Sequence, residues 1–495
     1  MPDLETDLLI LGAGSTAFAA ALRAAEFGKR SVMIESRTVG GTCANRGCLP
    51  SKNLIEAARW LHDARQPRYP GLAALKPRFD MDALIRQKDE VIAGYVAKKY
   101  SSAAAAHAEI RLLDGRARFI DAHSVAVEGS EGRRVIASQR ILIALGSAPI
   151  IPEISGLDEV GYLTSDLLTS GEAVEMTDLP RSLIVLGGGY IALELGQMFA
   201  RLGVDVTVIE RGPFPLRHGY EPEVGPAIKA LLAAEGVRFV TRAEVIGVRS
   251  DTGHRTKSGA RESVVVTVRA REATQDLRAE RLLVATGRRP QTDGVGLDEA
   301  DVRMDADGAV VVDEWLRTSA AGIWAAGDVI GSSQASQMAT PVGARDGGLA
   351  AHNAFAEELG LEPRAVNHRV IPRAIFTDPQ IALVGLTERQ VIATGRRCWC
   401  NTLPIDIVPR AGATHDTRGI VKMVADADTN EVLGVTLICA NAAEVIHEAA
   451  MGLRFHATLD DFIDLLHVYP TMSEALKLVA ISRYKDPGAL SCCAD

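Results

Sequence analysis

The sequence has no run of about 20 uncharged apolar residues, the length a helix needs to cross a bilayer. Its opening, Met1-Pro2-Asp3-Leu4-Glu5-Thr6-Asp7, is acidic where a secretory leader would be positive. The apolar stretch Leu8 to Leu22 is interrupted by glycines and reads as strand, loop and helix. Positive charge is short as well. The 54 Lys and Arg against 63 Asp and Glu leave a net charge of -9, which argues against nucleic acid and anionic membrane surfaces as partners. Cysteine is scarce: seven in 495 residues, an odd number spread along the chain. That usage fits a reducing, cytoplasmic setting with reactive thiols better than a disulfide scaffold.

What the chain does have is apolar content, 47%, and length for about three domains at ~150 residues each. Its organising stretch is Gly40-Gly41-Thr42-Cys43-Ala44-Asn45-Arg46-Gly47-Cys48-Leu49-Pro50-Ser51-Lys52. On an ideal helix, Cα atoms five positions apart lie about 8 to 9 Å from each other, beyond the roughly 7 Å reach of a disulfide. Pairing of Cys43 with Cys48 therefore requires a distorted backbone, and Asn45 and Gly47 tolerate the left-handed conformation that would supply it. Pro50 suits a first helical turn, so Cys48 is expected at or just before a helix N-terminus, where backbone amides favour a thiolate. The competing reading, two buried small hydrophobes, is weakened by a glycine-rich loop upstream and by Cys492-Cys493 near the end of the chain.

That upstream loop follows the strand run Asp7 to Leu11 and reads Gly12-Ala13-Gly14-Ser15-Thr16-Ala17. In this G-x-G-x-x-A pattern Gly12 makes the turn, Gly14 admits a pyrophosphate, and Ala17 packs helix on strand. Glu35 ends the next strand, where a carboxylate accepts bonds from ribose hydroxyls. The unit recurs as Ser182 to Leu186, then Gly187-Gly188-Gly189-Tyr190-Ile191-Ala192, with Glu210 in the place of Glu35. Two such units predict two bound dinucleotides. Glu210 favours a free 2'-hydroxyl, hence NADH, whereas Arg211 and Arg217 could clamp the 2'-phosphate of NADPH. From about Val366, alternating strand runs precede helices near Ala442 to Phe455 and Met472 to Ser482. Residues 249–280 read as exposed strands without chemistry. His352, His368, Cys398, Cys400 and Cys439 read as structural.

Gly-Gly-Thr-Cys-x4-Cys-x-Pro-Ser-Lys resembles the pyridine-nucleotide disulfide oxidoreductases, the flavoenzymes that include glutathione reductase, dihydrolipoamide dehydrogenase and mercuric reductase. The resemblance implies a glutathione-reductase-like α/β fold with two Rossmann-like domains and a C-terminal α+β dimerisation domain. The expected boundaries are 1–150 and 287–362 for the FAD domain, 151–286 for the NAD(P) domain, 363–482 for dimerisation and 483–495 for a flexible tail. It implies FAD on Gly12, Gly14, Ala17, Glu35, Gly41, Thr42 and Lys52, with Gly146 in the turn out of that domain. Thr318 to Asp328 resembles the second FAD motif, with Asp328 on the ribityl chain, and Pro341 opens a helix aimed at the flavin. The nicotinamide coenzyme would lie on Gly187, Gly189, Tyr190, Glu210, Arg211 and Arg217, with Gly287 closing its domain. Tyr190 would cover the flavin until nicotinamide displaces it, and Glu194 would pair with Lys52 beside the flavin N5.

One departure selects a branch of the family. Where disulfide reductases carry His-Pro-Thr, His467-Val468-Tyr469-Pro470-Thr471-Met472-Ser473-Glu474 has Tyr469 in the histidine position. A phenol with a pKa near 10 is a poor proton shuttle at neutral pH. Tyr469, Lys99-Tyr100 and Leu490-Ser491-Cys492-Cys493 together resemble the mercuric reductases. That branch implies a homodimer with shared active sites and Hg(II) as substrate. Cys492 and Cys493 of one subunit would hand Hg(II) to Cys43 and Cys48 of the other, between Tyr100 and Tyr469. Cys48 would be the flavin-side thiolate and Cys43 the more accessible thiol. The small N-terminal metal-binding domain of many such enzymes is absent from this sequence. The rival expectations are a disulfide reductase using the terminal cysteines as a relay, and a metal buffer without turnover.

Overall fold

Apolar runs bounded by glycine become strands covered on both faces, which favours parallel sheets with helices above and below. In the computed structural model, which describes residues 2–130, 132–172, 174–251, 263–270, 273–331 and 338–490, Leu8–Leu11 is buried throughout. It pairs in parallel with Ser31–Glu35 on one side and Ile141–Ile143 on the other. Ile110–Asp114 and Ile323–Ala325 form the two edges of this five-stranded sheet. The return of the chain at Ile323 is thus what completes the first domain. A second parallel sheet runs Arg238–Thr241, Asp205–Glu210, Ser182–Leu186, Arg281–Val284. The C-terminal part is an antiparallel sheet of Arg373–Ile375, Gln380–Gly385, Val432–Cys439, Ile420–Asp426 and Cys398–Pro404. The helices Ala442–Arg454 and Glu474–Ile481 cover its apolar face.

Several local expectations change. The strand Ser263–Ala270 is not exposed: Val264, Val266 and Val268 are buried against Leu282, Val284 and Ile184 of the second domain, and Val265 is buried as well. Its charged neighbours on Ala273–Ala279 face outward, and residues 252–262 and 271–272 lie outside the described residues. The helical segment that carries Tyr100 is divided into Met81–Val96, a π-helical turn Ala97–Ser101, and Ser102–Ala105. Such turns widen the helix and re-aim side chains, and this one carries Tyr100 into the core at 8% exposure. His352 and His368 do have partners, Glu362 O at 3.0 Å and Asp346 Oδ2 at 2.8 Å. The start of the expected flexible tail is anchored. Pro487–Ala489 forms a short turn capped by Asp486, Pro487 is buried, and the Tyr484 hydroxyl lies 3.1 Å from Asn430.

The first helix, Ser15–Glu26, packs against Thr340–Ala356 so closely that their contact is glycine-lined. A Cβ on Gly347 would stand 2.1 Å from Thr16 O, a backbone atom that cannot swing aside. Gly347→Ala is expected to lower stability by about 1 to 3 kcal/mol through overpacking, read as a lower urea midpoint at unchanged m-value. An unchanged midpoint would show that this contact is not tight.

Candidate active site

Gly40 and Gly41 take positive φ values, 93° and 65°, and deliver the chain into the short helix Gly41–Asn45, which carries Cys43. A new helix begins at Cys48 and runs to Arg65. The distortion that separates the two cysteines from one helix is therefore a break at Arg46-Gly47. It does not use a left-handed Asn45 or Gly47, since Asn45 is helical and Gly47 has φ -123°. Asn45 braces the break instead, donating through Nδ2 to Val39 O and Gly41 O at 2.9 Å each. The same glycines weld this segment to the first loop: a Cβ on Gly41 would meet Gly14 Cα at 2.9 Å.

The two thiols share one proton. Cys43 donates to Cys48, which lowers the Cys48 pKa to about 6, helped by the Lys52 charge and the Thr340 hydroxyl and opposed by burial. The same bond, with burial, raises Cys43 well above the ordinary thiol range. Cys48 is exposed and Cys43 partly exposed. Cys48 opens its helix 4.0 Å from Thr340 Oγ1, and Cys43 lies within the preceding turn, where it lines the first of two adjoining clefts.

One turn along, Lys52 Nζ reaches Glu194 Oε2 at 2.7 Å and lies 4.8 Å from the Phe376 ring centroid. Glu194 is 4% exposed, and its other oxygen accepts Phe376 N at 2.8 Å. Tyr100 packs on Gly40 and shares a 2.9 Å hydrogen bond with Ser15. Burial raises its pKa, and both thiols lie close enough to act on it electrostatically. Tyr469 stands about half exposed on the C-terminal domain, where Glu474 Oε2 fixes Thr471 N at 3.0 Å. His467, two residues earlier, is nearly buried and held by Glu448 at 2.9 Å. Cys492 and Cys493 lie outside the described residues.

Two clefts adjoin the dithiol. The first, about 700 Å³, is lined by Gly12 to Thr16, Glu35, Gly41, Thr42, Cys43, Gly146 and Asp328. Gly12 sits at φ 112°, where a Cβ would strike Ala144 O at 2.4 Å, and Ala17 is buried behind the loop. Asp328 accepts a bond from Ser147 Oγ at 2.6 Å, and Ser147 Oγ in turn accepts from Arg288 Nε at 2.9 Å. The second, about 820 Å³, is lined by Gly187 to Tyr190, Glu210, Arg211, Arg217, Gly287 and Arg288. Glu210 accepts Gly212 N at 2.6 Å and pairs with Arg217 at 3.4 Å.

Sequence reasoning passed over Thr340, Ser147, Arg288 and above all Arg46. Arg46 is 6% exposed and lines the first cleft. Nη2 donates to Thr38 at 2.7 Å, but Nη1 has no hydrogen-bond partner and only a 3.7 Å approach to Glu172. A buried guanidinium with an idle donor fits a cofactor that brings phosphate or ribose oxygens. Among the described residues, no group of three or more His, Cys, Asp or Glu is arranged to hold a metal, and no helix is long and apolar enough to cross a membrane.

Comparison with known proteins agrees with this architecture. Residues 6–355 match pyridine nucleotide-disulphide oxidoreductase, and residues 371–480 match the dimerisation domain of that group. The chain belongs to the pyridine nucleotide-disulphide oxidoreductase family. It is 40% identical to a mercuric reductase of Streptomyces lividans over 490 residues, 99% of this chain and 98% of the relative. It is 38% identical to a mercuric reductase of Staphylococcus aureus, with 99% and 85% covered. Dihydrolipoyl dehydrogenase 2 of Haloarcula marismortui is 34% identical, with 95% of both chains covered. Among solved structures, the HOCl-induced flavoprotein disulfide reductase RclA from Escherichia coli superposes with a TM-score of 0.81 at 29% identity, covering 97% of this chain and 100% of that one. The protein is an oxidoreductase, and its family implies FAD and NAD(P)H as cofactors.

Two outcomes test this site. In the reduced protein one thiolate is expected to form as pH rises through about 6 and to be lost below it. Thiolate absorbance follows this titration, and Cys43→Ala should move the midpoint upward because the donated bond is gone. A midpoint unmoved by that change would refute the shared proton. Arg46→Met apoprotein should take up FAD about 10- to 100-fold more weakly, the worth of a hydrogen bond from a charged donor, with riboflavin uptake unchanged. Equal FAD affinity would place the idle donor elsewhere.

Proposed function

We propose that this oxidoreductase is a cytoplasmic mercury(II) reductase acting as a homodimer. The balanced reaction is NAD(P)H, a proton and a bis-thiolate complex of Hg(II) giving NAD(P)⁺, Hg(0) and two free thiols. FAD, when bound, supplies the two-electron connection between nicotinamide and the dithiol face. The reading rests on Tyr469 standing where an imidazole would serve a leaving organic thiol. The similarity to mercuric reductases over nearly the whole chain supports it.

The residues divide the work by charge. Cys48 is ionised at neutral pH and so can displace a thiolate from incoming Hg(II) without waiting for a base. Cys43 then gives up the shared proton as it becomes the second sulfur ligand, and that proton leaves on the displaced thiol. Lys52 holds positive charge at the flavin edge and Glu194 fixes its position. Tyr100, aimed inward by its π-helical turn, stands beside this transfer, and Tyr469 would reach it from the other subunit. Leu466, Val468 and Phe455, exposed beside Tyr469 at 88%, 79% and 71%, form an apolar surface suited to cover by a second subunit. Cys492 and Cys493 would deliver Hg(II), since adjacent soft thiols near a chain end can exchange ligands stepwise. His467 is poorly placed to restore disulfide chemistry: Glu448 holds it and raises its pKa.

The test is anaerobic turnover with Hg(II), excess low-molecular-weight thiol and NADPH or NADH. Hg(II)-dependent oxidation of the coenzyme with release of volatile mercury is expected, and Cys48→Ser should reduce it by at least about a thousandfold. Reduction of an organic disulfide without any Hg(II) turnover would favour the disulfide-reductase reading. Stoichiometric Hg(II) binding without volatile product would favour a buffer.

A further inference from the structure

The sequence element Cys398-Trp399-Cys400 takes no part in this reaction. It begins Cys398–Pro404, the edge strand of the dimerisation sheet, hydrogen-bonded only to Ile420–Asp426. Side chains alternate along a strand. Trp399 therefore packs with the main core, while Cys398 and Cys400 share the opposite face, partly buried against Val391, Val424 and Leu433.

That face is rich in carboxylate. Lys422, 2% exposed, is met by Glu221 at 3.1 Å, Glu223 at 2.9 Å and Glu388 at 2.9 Å. Three carboxylates against one ammonium leave an excess of negative charge. The Cys400 thiol donates into the same Glu388 carboxylate. Burial and then this bond push the Cys400 pKa up to about 12, and burial with the Glu388 charge raises Cys398 too. Both sulfurs are therefore neutral thiols at physiological pH, the opposite of Cys48, and free thiolate chemistry is suppressed there.

The same electrostatics do not penalise a divalent soft ion. If two protons leave as Hg(II) enters, the charge of the pocket is unchanged, and soft sulfur pairs with the soft metal. Cu(I) on two thiolates would add a negative charge to a pocket already in excess. We propose that Cys398 and Cys400 form a second, two-coordinate binding site for Hg(II), apart from the redox dithiol, with Glu388 as the acceptor for the thiol protons. In the exchange, two Hg–S bonds to small thiols break and two to Cys398 and Cys400 form. The two protons pass, by way of Glu388, to the departing thiolates, and mercury stays Hg(II) throughout. The choice of ion follows the proposed function, but the site is tested by binding alone, so loss of turnover would leave the result standing.

The first experiment uses FAD-loaded protein with Cys43, Cys48, Cys492 and Cys493 all changed to Ser, mixed with Hg(II) and two equivalents of glutathione, then gel-filtered. About one Hg(II) per protomer should remain, as a two-sulfur site requires. Cys398→Ser or Cys400→Ser in that background should cut retention by about tenfold or more, and Cys439→Ser should not. Cu(I)-glutathione should be retained far less. No retained Hg(II), or retention indifferent to Cys398→Ser and Cys400→Ser, would overturn the site. A second reading uses the unmodified holoenzyme, with Hg(II) added beyond what the other thiols take. Maleimide labelling of Cys398 and Cys400, mapped by peptide mass, should be slowed by about tenfold or more. Equal labelling with and without Hg(II) would overturn the proposal independently.

Discussion

Three domains meet at one carboxylate. Glu194 belongs to the helix Tyr190–Arg201 of the second domain, Lys52 to the dithiol helix and Phe376 to the C-terminal domain. Both carboxylate oxygens are engaged by groups from the other two units, in a place only 4% exposed. Removing one member of such a buried pair typically costs about 3 to 5 kcal/mol, because the other is left uncompensated. The same helix face continues the connection. Gln197 accepts Asp378 N and donates to Asp378 O, both at 2.8 Å, and Arg201 reaches Asp378 at 2.9 Å and Glu235 at 2.7 Å. A single stripe on one helix therefore fixes the position of the lysine beside the flavin cleft relative to the dimerisation sheet. The site is only as well ordered as that junction.

Around it, backbone contact does what side chains could not. The dithiol turn and the first glycine loop touch through a bridge between Gly14 and Gly40, and a Cβ on Gly41 would stand only 2.9 Å from Gly14 Cα. Binding of a pyrophosphate at one end is thereby mechanically joined to the pose of Cys43 and Cys48 at the other. Arg46 lies on this joint, buried between the two cysteines in sequence with its guanidinium in the cleft. With Glu172 3.7 Å away and one donor still idle, this guanidinium has room for one further oxygen acceptor in the cleft.

Much of this could be read in the sequence because it is local. Each dinucleotide loop is a strand, a fixed spacing of glycines and a helix, and all three are written within some 30 residues. The break between Cys43 and Cys48 was also legible from spacing, but its mechanism was not. Asn45 and Gly47 were plausible left-handed residues, whereas the structure uses Gly40 and Gly41 before the first cysteine and spends Asn45 on bracing carbonyls. The burial of Val264 to Val266 was in principle visible, since a β-branched run favours a packed strand face, but the charged residues on both sides masked it. Arg46, the His368–Asp346 pair and the Cys400–Glu388 contact join residues far apart in the chain or depend on what surrounds them. No local pattern encodes such contacts.

The cysteines show how far environment, rather than residue type, assigns chemistry. Cys48 receives a hydrogen bond, lies near an ammonium and ionises at about 6. Cys400 gives a hydrogen bond to a carboxylate, and its pKa is raised to about 12. Cys439, fully buried at the end of an apolar strand, reaches a similar value by desolvation, with the Asp416 charge adding to it. Only the first is ionised at neutral pH, which sets the dithiol apart as the nucleophile among the described sulfurs. The raised pair on the dimerisation sheet stays protonated at that pH. The difference among chemically identical side chains thus comes from what the fold sets around each: a donating thiol and then a lysine at Cys48, burial and then a glutamate at Cys400.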